Sequence, residues 1–180
     1  MIESFIFNIF FDLALISLPI VFLLSRKRNL KKALQELGFV KINGLSLLKK
    51  SLLLFVVLII SSVVLSSVFG FFGLNDLSLV AESIQKISPI IPLFLMIVIL
   101  RVISEEIFFR GFLVEKIGIV ASSGIFALFH IGYGSIAEII GAFVLGLILA
   151  KAFQLNKNLY PNILAHAAYN AIALWAIFMV

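Results

Sequence analysis

The residues of this 180-residue chain best suited to chemistry fall in its second half. Glu105 and Glu106 are adjacent, Arg110 follows the second by four residues, His130 and His166 are the two histidines of the chain, and Asn170 follows His166 by four. Inside a bilayer an ionisable group costs at least about 2.5–3.5 kcal/mol on insertion scales, so each is a candidate for function until a partner accounts for it. At about 100° per residue Glu106 and Arg110 share one helix face, acid before base, which reads as a structural pair. Glu105 falls on another face, nearer that of Arg101, and is left free for chemistry. Peptide hydrolysis needs a base to deprotonate water, a group to place that water, donors for the oxyanion and an acid for the leaving amine. A buried carboxylate can act first as base and then as acid, because desolvation strengthens its hold on a proton. Nucleophilic alternatives are poorer: the chain has no cysteine, and neither Gly-x-Ser-x-Gly nor His-Glu-x-x-His occurs in it.

Composition says what must hold these side chains. Hydrophobic residues make up 63% and charged residues 13%, against about 45–50% and about 25% in soluble domains. That excludes a soluble globule, a disordered chain and a disulfide scaffold. The long runs of Leu, Ile and Val also exclude the alternating strands of an outer-membrane barrel. The class expected is an all-α, polytopic transmembrane helical bundle of about six spans: Phe5–Leu24, Leu52–Leu74, Ile90–Leu113, Ile117–Gly134, Ile136–Phe153 and Leu159–Val180. The first reads as a retained helix, having neither a basic lead nor a cleavage site, and residues 1–180 form a single integral-membrane domain.

Eight of the fourteen Lys and Arg residues (Arg26, Lys27, Arg28, Lys31, Lys32, Lys41, Lys49 and Lys50) lie in one stretch. The positive-inside rule makes loop 25–51 cytoplasmic, with Met1 outside, Asn75 to Lys86 outside, Lys116 inside, Gly134 outside, and Lys151 and Lys157 inside. The net charge of +5 is then a topology signal and no nucleic-acid partner is implied. The stretch from Leu30 to Lys50 has two readings, an amphipathic helix lying on the inner leaflet or a solvated basic loop. Counting about 1.5 Å per residue from the inner turn brings Glu105 and His130 to one level. From the inner end of the last span, the same rise puts His166 at about 10 Å and Asn170 at about 16 Å, on a common face. The site is expected near the midplane or below it, on the cytoplasmic side. Three further intramembrane charges read as structural: Asp12 paired with a basic residue of another helix, Arg101 near Glu105, and Glu138 reaching the outer interface.

Three motifs carry a resemblance. Glu105-Glu106-Ile-Phe-Phe-Arg110 matches EExxxR, Phe126-Ala-Leu-Phe-His130 matches FxxxH, and His166-Ala-Ala-Tyr-Asn170 matches HxxxN, in that order and on separate helices. In these the chain resembles the CPBP, or Abi, intramembrane proteases, which include the type II CAAX prenyl endopeptidases, over a protease-like core of about residues 88–180. The resemblance implies an intramembrane endopeptidase acting on a membrane-associated peptide or protein within the lipid bilayer. It implies Glu105 as the base activating water, His130 holding that water, and His166 with Asn170 stabilising the oxyanion. Glu106 and Arg110 would support the first glutamate, and Phe126 would lie beneath the site.

No cofactor is expected. The family has also been described as metalloproteases, and if zinc is present its candidate ligands are Glu105, His130 and His166. Many relatives have seven or eight spans where this chain has six, which bears on substrate entry more than on chemistry, and a compact member of this kind suggests a prokaryotic plasma membrane. Two other readings stay open: a bacteriocin-immunity or scaffolding protein that uses the same cavity without cleaving, and a haem-binding or ion-translocating bundle, which would leave Asn170 and the Glu-Glu-x-x-x-Arg spacing unused.

Overall fold

A computed structural model describes residues 2–26, 28–87 and 91–179, and among them there are helices and turns but no strand. The expected start of the protease-like core at residue 88, the start of the third span at Ile90, Lys27, Met1 and Val180 lie outside the described residues. In chain order the helices are α1 (Ile2–Ser25), α2 (Leu30–Glu36), α3 (Gly44–Phe71), α4 (Ser78–Ile87), α5 (Ile91–Glu105), a π-helical segment (Glu106–Leu113), α6 (Val114–Leu128), α7 (Ile136–Asn156) and α8 (Leu159–Met179), with a 3₁₀ turn at Ile131–Tyr133.

Among the described residues, four stretches are long and apolar enough to cross a membrane: Ile6–Ser25, Gly44–Phe71, Val98–Tyr133 and Ile136–Asn156. The difference from six has two causes. The expected third and fourth spans form one apolar run of 36 residues, inside which the chain turns back at Gly118, where φ is +83°. Only glycine enters that region without strain. Past this turn the Ser122 hydroxyl donates to the Phe109 carbonyl at 2.7 Å, and the Phe109 and Phe126 rings meet edge to face at 5.1 Å. The expected sixth span, α8, is diluted by Pro161, Asn162, His166 and Asn170.

Polar contacts between helices account for charges that the sequence leaves unpartnered. Asp12 of α1 is fully buried, 3.0 Å from Arg101 Nε of α5, and accepts from the Ser104 hydroxyl at 2.8 Å. Arg101 also donates to Asn8 at 2.7 Å. Asp12 thus pairs across helices as expected, with Arg101 as its basic partner.

The basic stretch takes neither expected form along its length. Asn29 caps the seven-residue α2, accepting from the Lys32 backbone N–H. The chain then tucks under the bundle: Leu37 is fully buried, the Leu159 N–H donates to the Gly38 carbonyl at 2.9 Å, and Asn158 donates to the Val40 carbonyl at 2.7 Å. Gly111 makes this approach possible, since a Cβ there would stand 2.6 Å from the Leu37 carbonyl oxygen.

At the other end, α7 is capped from a distance. Ser135 accepts from the Glu138 N–H, and Asp76, in the turn between α3 and α4, accepts from the Ile136 N–H at 2.6 Å, the Ala137 N–H at 3.2 Å and the Ser135 hydroxyl at 2.8 Å. A carboxylate at a helix N-terminus satisfies donors that have no partner within the helix and complements the helix dipole.

Two predictions follow from these contacts. Gly111→Ala forces a methyl into backbone and should cost about 1–3 kcal/mol, whereas Gly124→Ala, where nothing stands within 4 Å of the new Cβ, should be neutral or stabilising by up to about 1 kcal/mol; thermal unfolding in detergent compares them. For Asp76, burial opposes the charge, but the hydrogen bonds from Ser135, Ile136 and Ala137 outweigh it and hold the carboxyl below the usual carboxylate range. Its stabilising contribution is then present above the unfolded carboxylate range and lost as pH falls through the folded one. Asp76→Ala should lower the melting temperature at neutral pH, and the gap from the parent should close in acid; a gap that does not change with pH would contradict the capping account.

Candidate active site

At Glu105 the α-helix gives way to the wider π-helix, which closes i→i+5 hydrogen bonds and recurs at functional sites. Glu105 is the last α-helical residue and Glu106 the first of the π segment. The two adjacent carboxylates reach opposite nitrogens of the His166 ring. Glu106 is fully buried, and its Oε1 lies 3.3 Å from Arg110 Nη1. Arg110 is itself buried, and its guanidinium sits 4.1 Å above the centre of the Phe126 ring. Its two terminal nitrogens make no aligned hydrogen bond among the described residues, so the ring face supplies part of what water would otherwise give.

The remaining demand of Glu106 is met from α8. Asn162 Nδ2 donates to Glu106 Oε2 at 3.1 Å and to the Leu149 carbonyl at 2.9 Å. His166 Nδ1 lies 2.9 Å from Glu106 Oε1. A carboxylate that faces a guanidinium is ionised and can only accept, so the Nδ1–H of His166 donates to it. This fixes the ring with Nε2 turned the other way, 3.9 Å from Glu105 Oε2. His130, at the end of α6, places Nδ1 2.9 Å from the Phe126 carbonyl oxygen, which also can only accept. Its Nε2 is thereby left unprotonated in the neutral ring, and the imidazole rests on the Phe126 ring at 4.7 Å.

These side chains border a cavity of about 120 Å³ whose lining includes Ser62 of α3, His130, Glu138 of α7, and His166, Tyr169 and Asn170 of α8. At about 30 Å³ per water this volume corresponds to roughly four water molecules. Of the residues singled out from sequence, Glu106, Arg110 and His166 touch, Phe126 lies beneath them, and His130, His166 and Asn170 share the cavity. Glu105 is not part of the cavity wall. It stands behind His166, 9% exposed, and is joined to the cavity through the Nε2 side of that ring.

Two residues of the site escape the sequence reading. Asn162 is one helical turn before His166, so that Asn162, His166 and Asn170 form one polar stripe at i, i+4 and i+8; the spacing was a usable signal. Glu138, expected at the outer interface, is half-buried and lines the cavity, within electrostatic reach of His130 and Glu105. Its direction depends on how α7 packs on α6, which no local pattern encodes. Nothing in the residue pattern announced the π segment.

The donors do not assemble for zinc. Glu105 and His166 approach each other, but among the described residues no group of three His, Asp or Glu side chains is placed to hold a metal ion. Structural and catalytic zinc sites need at least three such ligands, each about 2.0–2.2 Å from the ion.

Residues 87–172 match the family model of the type II CAAX prenyl endopeptidase Rce1-like proteins. The matched segment, just under half of the chain, contains every motif residue from Glu105 to Asn170. No curated protein and no solved structure shows significant similarity. The match runs across α5, the π segment, α6, α7 and the first two thirds of α8, so over the segment that carries the motif residues the chain is similar to the CAAX protease family of membrane proteases.

Proposed function

We propose that the chain is an intramembrane endopeptidase that hydrolyses a peptide bond of a membrane-associated peptide or protein with a glutamate-activated water. The observation that carries this reading is the unequal commitment of the two adjacent carboxylates. Glu106 takes Arg110, Asn162 and His166 as close partners, whereas among the described residues the one ion pair of Glu105 within 4 Å is the 3.9 Å approach of His166.

In this scheme Glu105 takes a proton from a water held beside His130, whose Nε2 lone pair accepts the water's other hydrogen. The hydroxide adds to the substrate carbonyl. The oxyanion forms beside the Asn170 amide N–H and His166, whose ring Glu106 holds from the Nδ1 side. Glu105 then gives its proton to the leaving amine as the carbon–nitrogen bond breaks, which restores the carboxylate. The chain's own residues complete the cycle without a metal.

The test compares the membrane peptidome of cells producing the parent with that of cells producing Glu105→Gln. Loss of a general base should lower cleavage by about 10²–10⁴-fold, while the melting temperature of the purified protein stays unchanged, since Glu105 holds no close ion pair. Cleavage products that persist in Glu105→Gln would end this mechanism. Asn162→Leu should behave differently: it strips a donor from a buried carboxylate, so stability should fall by about 1–3 kcal/mol along with activity. Differential scanning fluorimetry separates the two patterns.

A further inference from the structure

The cavity is sealed toward one end of the bundle and open toward the other. Leu58 and Leu149 form its floor and belong to a buried apolar layer with Leu54 and Ala165. Beyond that layer, Leu37, Ile107, Phe153 and Leu159 form a second one. A separate cavity at this closed end, bordered by Phe112, Glu115, Lys116 and Lys157, contains none of the motif residues. Toward the opposite end the wall mixes polar and apolar side chains and reaches the surface. It includes Ser62 and Ser66 in the last third of α3, Leu77 in the turn that carries Asp76, and Ala137 and Glu138 in the first turn of α7; Ser66 and Leu77 are exposed. Hydrolysis consumes water, and this is the side on which the wall of the cavity reaches the surface.

Charge tells the two ends apart. Of the thirteen described Lys and Arg residues, the seven between Arg26 and Lys50, together with Lys116, Lys151 and Lys157, belong to the closed end. Arg101 and Arg110 lie within the bundle, and Lys86 alone belongs to the open end. The positive-inside rule assigns the closed end to the cytoplasm.

We infer that the site admits its substrate from the extracytoplasmic face. Its substrate class is then a membrane-anchored or exported polypeptide whose scissile bond lies in the outer half of the bilayer, and not a carboxyl-terminal tail displayed in the cytoplasm. This rests on the peptidase reading for the word substrate, but the direction of access rests on geometry and charge alone. It also replaces the cytoplasmic-side site expected from residue counting. That count compared depths along the helices and had no information on which end the side chains close.

The chain has no cysteine, so single thiols can be placed without background. Ser66→Cys marks the cavity rim, Ser62→Cys its wall, and Gln154→Cys the last turn of α7 at the closed end. Each variant is first required to match the parent's melting temperature, then treated with a membrane-impermeant maleimide in intact cells and in inverted vesicles. The inference expects Ser66→Cys and Ser62→Cys to be modified in intact cells and Gln154→Cys only in inverted vesicles. Modification of Ser66→Cys only in inverted vesicles would overturn it by reversing the orientation. Failure of both cavity thiols to react from outside, with Gln154→Cys behaving as expected, would overturn it by showing the outer path closed to water. Neither result depends on catalysis, so a failed inference here and a failed peptidase mechanism are told apart by the separate effect of Glu105→Gln.

Discussion

A carboxylate as deeply buried as that of Glu106 is tolerated inside a membrane bundle only if other groups replace the water it has lost, and here a guanidinium, an imidazole N–H and a carboxamide do so. Removing any one partner of such a cluster leaves an uncompensated charge, which is far more costly than replacing the whole set by apolar groups. The cluster therefore works as a constraint on geometry more than as a source of net stability. It ties α8 to the π segment, sets the tautomer of His166 and aims its second nitrogen at Glu105. The site takes its form from satisfying Glu106.

The same constraint explains why several unrelated features gather at one level. The change from α-helix to π-helix falls between Glu105 and Glu106, and the two carboxylates approach opposite nitrogens of the His166 ring. Phe126 then lies under Arg110, His130 and His166 at once, with ring contacts of 4.7 Å to His130 and 6.3 Å to His166. A flat aromatic surface can support a guanidinium and two imidazoles without competing for their hydrogen bonds. On the far side of the π segment, Gly111 lets the Leu37 backbone come close, so the basic stretch closes the bundle beneath the cluster. Buried charge, ring platform and apolar floor thus form one continuous unit.

Along the bundle, polarity changes in one direction. Apolar layers fill the end that carries most of the basic residues, and the cluster around Glu106 sits above them. Beyond it the walls carry Ser62, Glu138, Tyr169 and Asn170. Asp76 holds the N-terminus of α7 at that end, which fixes the turn from which Glu138 projects. The cavity with its polar side chains thus lies on one side of the cluster, and apolar layers lie on the other.

Much of this was legible in the residues themselves. Composition alone determined an all-helical membrane protein, and helical spacing determined that Glu106 pairs with Arg110, that Asn170 follows the face of His166, and that Phe126 lies one turn from His130. Such conclusions hold because they depend on transfer of apolar surface and on neighbours within a single helix. Tertiary structure alone decided that Arg101 serves Asp12, that Asn162 and not only Arg110 satisfies Glu106, that Glu138 faces the cavity, and that the basic stretch folds under the bundle. It also decided which end of the cavity is closed. Each of these depends on where helices far apart in sequence meet, and a helix by itself presents all of its faces equally until another helix covers one of them.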